Sequence, residues 1–189
     1  ADINMARQLT TIMDAILAIE GNVEDEGDLQ ALFVFAVLWS IGGCVVDEDR
    51  PKFDKFLKVV TAWQGIENGA KLNGYVGPGA YPERLTLYEY FYDVKNRQWK
   101  PWKFVVPPYE HVDGGKFSNI LVPTLDTVRY TYLLQAVTDI NKPVLFVGTS
   151  GTAKTVTIEK FLNLKVQSNS EKLAKLNMNF SSRTSSLDV

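Results

Sequence analysis

Cysteine and histidine are almost missing from this chain of 189 residues, which carries one of each, Cys44 and His111. That count excludes a disulfide framework and an ordinary Cys/His zinc site. A Ser/His/Asp or Cys/His nucleophile system would depend on His111 alone, so chemistry of that kind is not expected. An excess of one charge is missing too: 20 Lys+Arg stand against 22 Asp+Glu, a net charge of −2. Nothing there resembles the clustered basic face that nucleic acid requires. The longest uninterrupted apolar run covers residues 31–39, short of a bilayer span, and no charged-then-apolar leader opens the chain. Neither nucleic acid nor a membrane is therefore expected as a partner. With 46% hydrophobic and 12% aromatic residues the chain can build a real core. The composition suggests a reduced, soluble, intracellular segment, and its untapered ends suggest a piece of something larger.

Helical periodicity opens the chain. Met5, Leu9, Ile12, Met13, Ile16 and Ile19 recur at three- and four-residue steps before Gly21-Asn22. The acidic stretch 24–26 reads as a solvated loop, and Asp28 as the cap of a second, largely buried helix over 29–41. Asp49 and Pro51 suit the start of a third helix with Phe53, Phe56, Leu57 and Val60 on its apolar stripe. Residues 65–82 are rich in glycine and proline and read as a linker. The alternation from Tyr88 to Asp93, a turn at Lys95-Asn96 and the return over 98–102 predict a β-hairpin. After a short extended piece at 119–122, Thr124 can cap a helix over 125–138, with Leu125, Val128, Tyr132 and Ala136 facing inward. The apolar run 143–147 then suits a buried strand of a parallel sheet, and 176–180 a second one. Cys44 is expected to be a small buried residue, His111 a loop residue, and Trp39, Trp63, Trp99 and Trp102 packing residues.

Chemistry concentrates in Gly148-Thr149-Ser150-Gly151-Thr152-Ala153-Lys154-Thr155. Strand, small-residue loop, Lys-Thr and helix is the layout of a phosphate-binding P-loop. Gly148 and Gly151 let the backbone curl so that its N–H groups form an anion nest, and the following helix adds its positive end. Lys154 supplies a mobile charge for β- and γ-phosphates. The Thr155 hydroxyl can ligate Mg²⁺. Ala153 stands where the pattern has glycine, and its methyl group is tolerable there if φ is negative.

Five segments, 33–43 (FVFAVLWSIGG), 91–102 (FYDVKNRQWKPW), 121–134 (LVPTLDTVRYTYLL), 143–155 (PVLFVGTSGTAKT) and 179–189 (NFSSRTSSLDV), resemble the dynein heavy chains, the axonemal kind more than the cytoplasmic. The resemblance implies an α/β fold: a helical AAA+ lid subdomain, a β-hairpin, and the N-terminal part of a P-loop AAA+ parallel-sheet subdomain. It places residues 1–70 in the lid of the second AAA+ module, 71–118 in a linker and hairpin region, and 119–189 in the truncated large subdomain of the third. It further implies a regulatory site for ATP or ADP with Mg²⁺, in which Val122 and Pro123 border the adenine and residues 148–155 hold the phosphates. The implied partners are the other AAA+ modules of the same heavy chain and, through the parent protein, intermediate and light chains and microtubules. The implied location is the cytoskeleton of the cytoplasm and the axoneme of a cilium or flagellum.

No apolar strand ending in Asp-Asp or Asp-Glu follows the loop, so only the Walker A half of an ATPase site is expected, with no catalytic residue in this segment. The segment alone is then expected to be inactive as an ATPase. Two other readings stay open: a degenerate P-loop kept for the architecture of a motor ring, and a free-standing P-loop enzyme such as a small-molecule kinase. The architecture requires helix at 29–41 and a strand ahead of Gly148.

Overall fold

The computed structural model describes residues 2–62, 85–109, 122–168 and 172–180, and these fall into two compact units, 1–147 and 148–189. The expectations for the linker at 65–82, for Trp63 and His111, for 119–121 and for 181–189 lie outside the described residues.

The first unit begins with α1 (Asp2–Glu20), α2 (Glu26–Ser40) and α3 (Arg50–Ala62). The strands β1 (Tyr90–Asp93) and β2 (Gln98–Pro101) follow, and then α4 (Leu125–Asp139). The predicted helices and hairpin all form. In α1 the inward face is Ile12, Ala15 and Ile16, with Leu9, Met13 and Leu17 beside it, while Ile19 turns outward. The exposed Phe56 likewise leaves the expected stripe of α3, where Leu57 is buried and Phe53 packs against the core.

α2 is the centre of the unit. Ala31, Leu32, Val34, Phe35, Ala36, Leu38 and Trp39 are all buried, which is what a helix apolar on nearly every side must achieve. The stretch Glu26–Cys44 is long and apolar enough by length and composition to cross a membrane, although no uninterrupted run in the sequence is. Its residues instead share one core with α1, α3, α4 and the hairpin.

The hairpin is antiparallel, with Tyr90 opposite Pro101 and Tyr92 opposite Trp99. The Tyr92 and Trp99 rings meet at 5.4 Å, a cross-strand aromatic pair. The hairpin is tied to the start of α2. The cap of that helix is Asp25, whose carboxylate accepts from the Asp28 N–H at 3.1 Å, rather than Asp28 itself. Asp28 lies in the first turn, buried, and accepts from the Tyr92 hydroxyl at 2.5 Å and from Arg97 Nε at 3.3 Å. Arg97, at a positive φ of 50°, also reaches Asp25 at 2.5 Å. The acidic stretch is thus a clamp on the hairpin turn and not merely a solvated loop. Two carboxylates three residues apart can each cap a helix, and the buried tyrosine hydroxyl decides between them by recruiting Asp28.

Gly42 ends α2 where the backbone must pass close to other groups. A Cβ there would lie 2.5 Å from the Tyr88 hydroxyl and 2.6 Å from Phe53 Cε1. The Tyr88 hydroxyl donates to the Gly42 carbonyl at 2.8 Å. The chain then turns Cys44 outward, so this cysteine is exposed and not buried as expected. Burial pushes the phenols of Tyr88 and Tyr132 up to about 12. An unfolded chain releases these protons near 10, so the folded state holds more protons between the two values. Stability should therefore fall as pH rises from about 10 towards about 12, as denaturant melts across that window would register. Tyr132→Phe should lessen the slope; an unchanged slope would remove Tyr132 from the effect.

α4 starts as expected. Thr124 Oγ1 accepts from the Thr127 N–H at 3.2 Å and Thr127 Oγ1 accepts from the Thr124 N–H at 2.7 Å, a reciprocal cap. Arg129 is buried on this helix and donates to the Tyr88 carbonyl at 3.1 Å and to Asp126. The helix closes on Asn141 at a φ of 58°, a left-handed stop that asparagine tolerates.

The expected strand at 143–147 does not form: those residues are irregular, and Leu145 and Val147 are 85% and 84% exposed. Phe146 is half-buried and sets its ring edge-on to Tyr130 at 6.5 Å. Residues 176–180 are likewise irregular and exposed where a second strand was expected. A strand is defined by its neighbours, and among the described residues no strand lies beside either segment.

The second unit contains α5 (Lys154–Ser168), which follows the glycine-containing loop directly. Thr157 and Phe161 are its buried residues, and Lys165 places its ammonium 5.3 Å from the centre of the Phe161 ring.

Candidate functional site

The loop 148–153 and the first turn of α5 bring Gly148, Thr149, Ser150, Gly151, Thr152, Ala153, Lys154 and Thr155 together, all exposed except the half-buried Lys154. Val122 and Pro123 lead into α4 in the other unit, Val122 exposed and Pro123 half-buried. Gly151 has a φ of 81°, which a residue with a Cβ adopts only under strain, so this glycine is required by the curl of the loop. At Gly148 a Cβ would meet Lys154 Cδ at 3.7 Å and Lys154 Nζ and Thr152 Oγ1 at 3.8 Å, ordinary contact distances. The lysine side chain therefore lies back across the loop towards Gly148.

Lys154 Nζ donates to the Thr149 carbonyl and, at 2.9 Å, to Thr152 Oγ1. Thr152 Oγ1 in turn donates to the Thr149 carbonyl at 3.0 Å. The first hydrogen bond of α5 runs from the Thr157 N–H to the Ala153 carbonyl at 3.0 Å, with the Thr157 hydroxyl donating to the same oxygen at 2.8 Å. The arrangement suits a polyphosphate: a curled backbone at a helix N-terminus with a lysine ammonium held at the same place. Thr155 sits in the first turn, where a hydroxyl could ligate a divalent cation brought by phosphate oxygens. Among the described residues no cluster of His, Cys, Asp or Glu could hold a metal by itself.

Ala153 departs from the expected condition. Its φ is 57°, in the left-handed region, so the methyl group is not accommodated at negative φ. For an L-residue that conformation costs about 1–2 kcal/mol, which glycine avoids. Ala→Gly near a helix start ordinarily costs up to about 1 kcal/mol. Ala153→Gly should here be neutral or stabilising by about 1 kcal/mol, as chemical denaturation would measure. A loss of stability at the ordinary size would show that Ala153 is not strained. The sequence carried no sign of this φ, nor of the Thr149 and Thr152 contacts that hold the lysine.

A helical lid leading into a P-loop at the start of a helix defines the class: a module of the P-loop nucleotide-binding kind. Comparison with known proteins narrows it. The family described as "Dynein heavy chain AAA lid domain" matches residues 1–104, and "P-loop containing dynein motor region" matches residues 109–189. The chain is 40% identical over 190 residues to "Dynein axonemal heavy chain 10" of Homo sapiens. It is 41% identical over 192 residues to "Dynein-1-alpha heavy chain, flagellar inner arm I1 complex" of Chlamydomonas reinhardtii. Both matches cover 100% of this chain but 4% of the relative's length. "Dynein axonemal heavy chain 12" of Mus musculus is 34% identical over 162 residues, 85% of this chain and 5% of that protein. The chain belongs to the dynein heavy chain family. The missing strand ahead of Gly148 therefore does not count against that membership, although the architecture called for one.

Proposed function

We propose that residues 148–155 form the Walker A half of a regulatory ATP-binding site within an ATP-driven microtubule motor. The observation that supports it best is the curled loop, with Gly151 at positive φ and Lys154 drawn into it, inside a segment matched to the P-loop region of the family. In this reading Lys154 and the loop N–H groups hold the β- and γ-phosphates of ATP or ADP, Thr155 binds Mg²⁺, and Val122 and Pro123 border the adenine. Residues 1–70 belong to the lid of the second AAA+ module, 71–118 to a linker and hairpin region, and 119–189 to the beginning of the third module. The partners are the neighbouring modules of the same heavy chain and, through the whole protein, intermediate and light chains and microtubules. The names of the axonemal and flagellar relatives support a place in a cilium or flagellum.

Titration of the chain with Mg-ATP and Mg-ADP, followed by calorimetry, tests the reading: saturable binding supports it, and no heat at millimolar nucleotide would sink it. One observation favours a second reading, a loop kept for architecture alone. Ala153 at a φ of 57° makes the phosphate-binding conformation costlier than glycine would. In that case Ala153→Gly would bind nucleotide where the parent chain does not.

A further inference from the structure

This inference rests on the phosphate-loop reading above and concerns how that site is controlled. The hydrogen bonds around Thr152 form a closed set. Its hydroxyl has a single proton, which is given to the Thr149 carbonyl at 3.0 Å. Its lone pairs are then left to accept, and Lys154 Nζ donates to them at 2.9 Å. The same ammonium donates to the Thr149 carbonyl, whose two lone pairs are thereby both used. The cation that would meet a phosphate is thus bound to its own loop.

We propose that Thr152 is a positioning residue that restrains Lys154 inside the loop and opposes its transfer to a nucleoside polyphosphate. Binding must exchange the bonds from Lys154 to Thr152 and Thr149 for bonds to phosphate oxygens, so part of the charge-assisted gain is offset. Thr152 does not itself act as a phosphate donor in this arrangement, because its proton is committed to Thr149.

The test compares the parent chain with Thr152→Val, which keeps the branched shape without the hydroxyl, and Thr152→Ser, which keeps the hydroxyl. Two readouts are taken: the rate of Lys154 acylation by acetic anhydride relative to exposed Lys160, and affinity for Mg-ATP. Thr152→Val should speed Lys154 acylation and tighten ATP binding, each by about three- to tenfold, the range one hydrogen bond of ordinary net strength commands. Thr152→Ser should return both towards the parent values. Unchanged acylation in Thr152→Val overturns the restraint whatever the nucleotide does. Faster acylation with weaker ATP binding overturns it in favour of Thr152 as a phosphate ligand. Faster acylation with no ATP binding by any of the chains supports the restraint and overturns the nucleotide site instead.

Discussion

Lys154→Ala should weaken Mg-ATP binding by about 2–4 kcal/mol, the usual loss when one member of a desolvated charge contact is removed. The loop backbone and the N-terminal end of α5 would remain, since the helix begins with a bond from the Thr157 N–H to the Ala153 carbonyl that does not involve the lysine side chain. What disappears is the ammonium, now held on Thr149 and Thr152. A helix end contributes roughly 0.3–2 kcal/mol to an anion, so residual binding should be detectable but weak. Lys160→Ala, on the exposed side of the same helix, provides the comparison and should leave the affinity as it was. Calorimetric titration of both variants decides the matter. A Lys154→Ala chain that binds ATP as tightly as the parent would remove this loop as the phosphate site, wherever the nucleotide then sits.

Local signals carried most of the fold. The three-and-four spacing in α1, the all-round apolarity of α2, the alternation of Tyr90–Asp93 and the reciprocal cap at Thr124 are each written within a few residues, and each formed. The failures share a different origin. Whether Asp25 or Asp28 caps α2 turns on the Tyr92 hydroxyl, 64 residues from Asp28, since Arg97 reaches both carboxylates. Strand formation at 143–147 depends on neighbouring strands, and an apolar run states only that such neighbours would be welcome. Within the loop, residue types at 148–155 were sufficient to suggest phosphate chemistry, because glycine, lysine and threonine each have one obvious use there. Backbone dihedrals are not residue types. Ala153 at positive φ and the folded-back Lys154 arise from the curl of the whole loop, which no single position encodes.

The largest effect on stability is expected at Trp39. Its indole stands edge-on to Tyr88 at 5.6 Å and to Tyr130 at 6.1 Å, and the Arg129 guanidinium lies 5.8 Å from its centre. One side chain on α2 thus joins the segment leading into the hairpin to α4. Truncation to alanine would empty a volume bounded by α4 and the segment leading into the hairpin, which cannot both move inward freely. Trp39→Ala should cost about 3–5 kcal/mol. For a chain of this size that lowers the melting temperature by roughly 6–20 °C. Trp39→Phe separates ring packing from the indole N–H. Trp39 Nε1 is buried without a hydrogen-bond partner, so phenylalanine would lose some contact area while removing a polar group that gains nothing from burial. Its cost should therefore stay near 1–2 kcal/mol, well below that of alanine. Ile3→Ala, at a position 77% exposed on α1, should change stability by no more than about 0.5 kcal/mol. Denaturant unfolding of the three variants orders them. If Trp39→Ala proves as mild as Ile3→Ala, the hairpin and α4 are not held through this ring; if Trp39→Phe proves as severe as alanine, the indole N–H contributes a bond that the packing does not reveal.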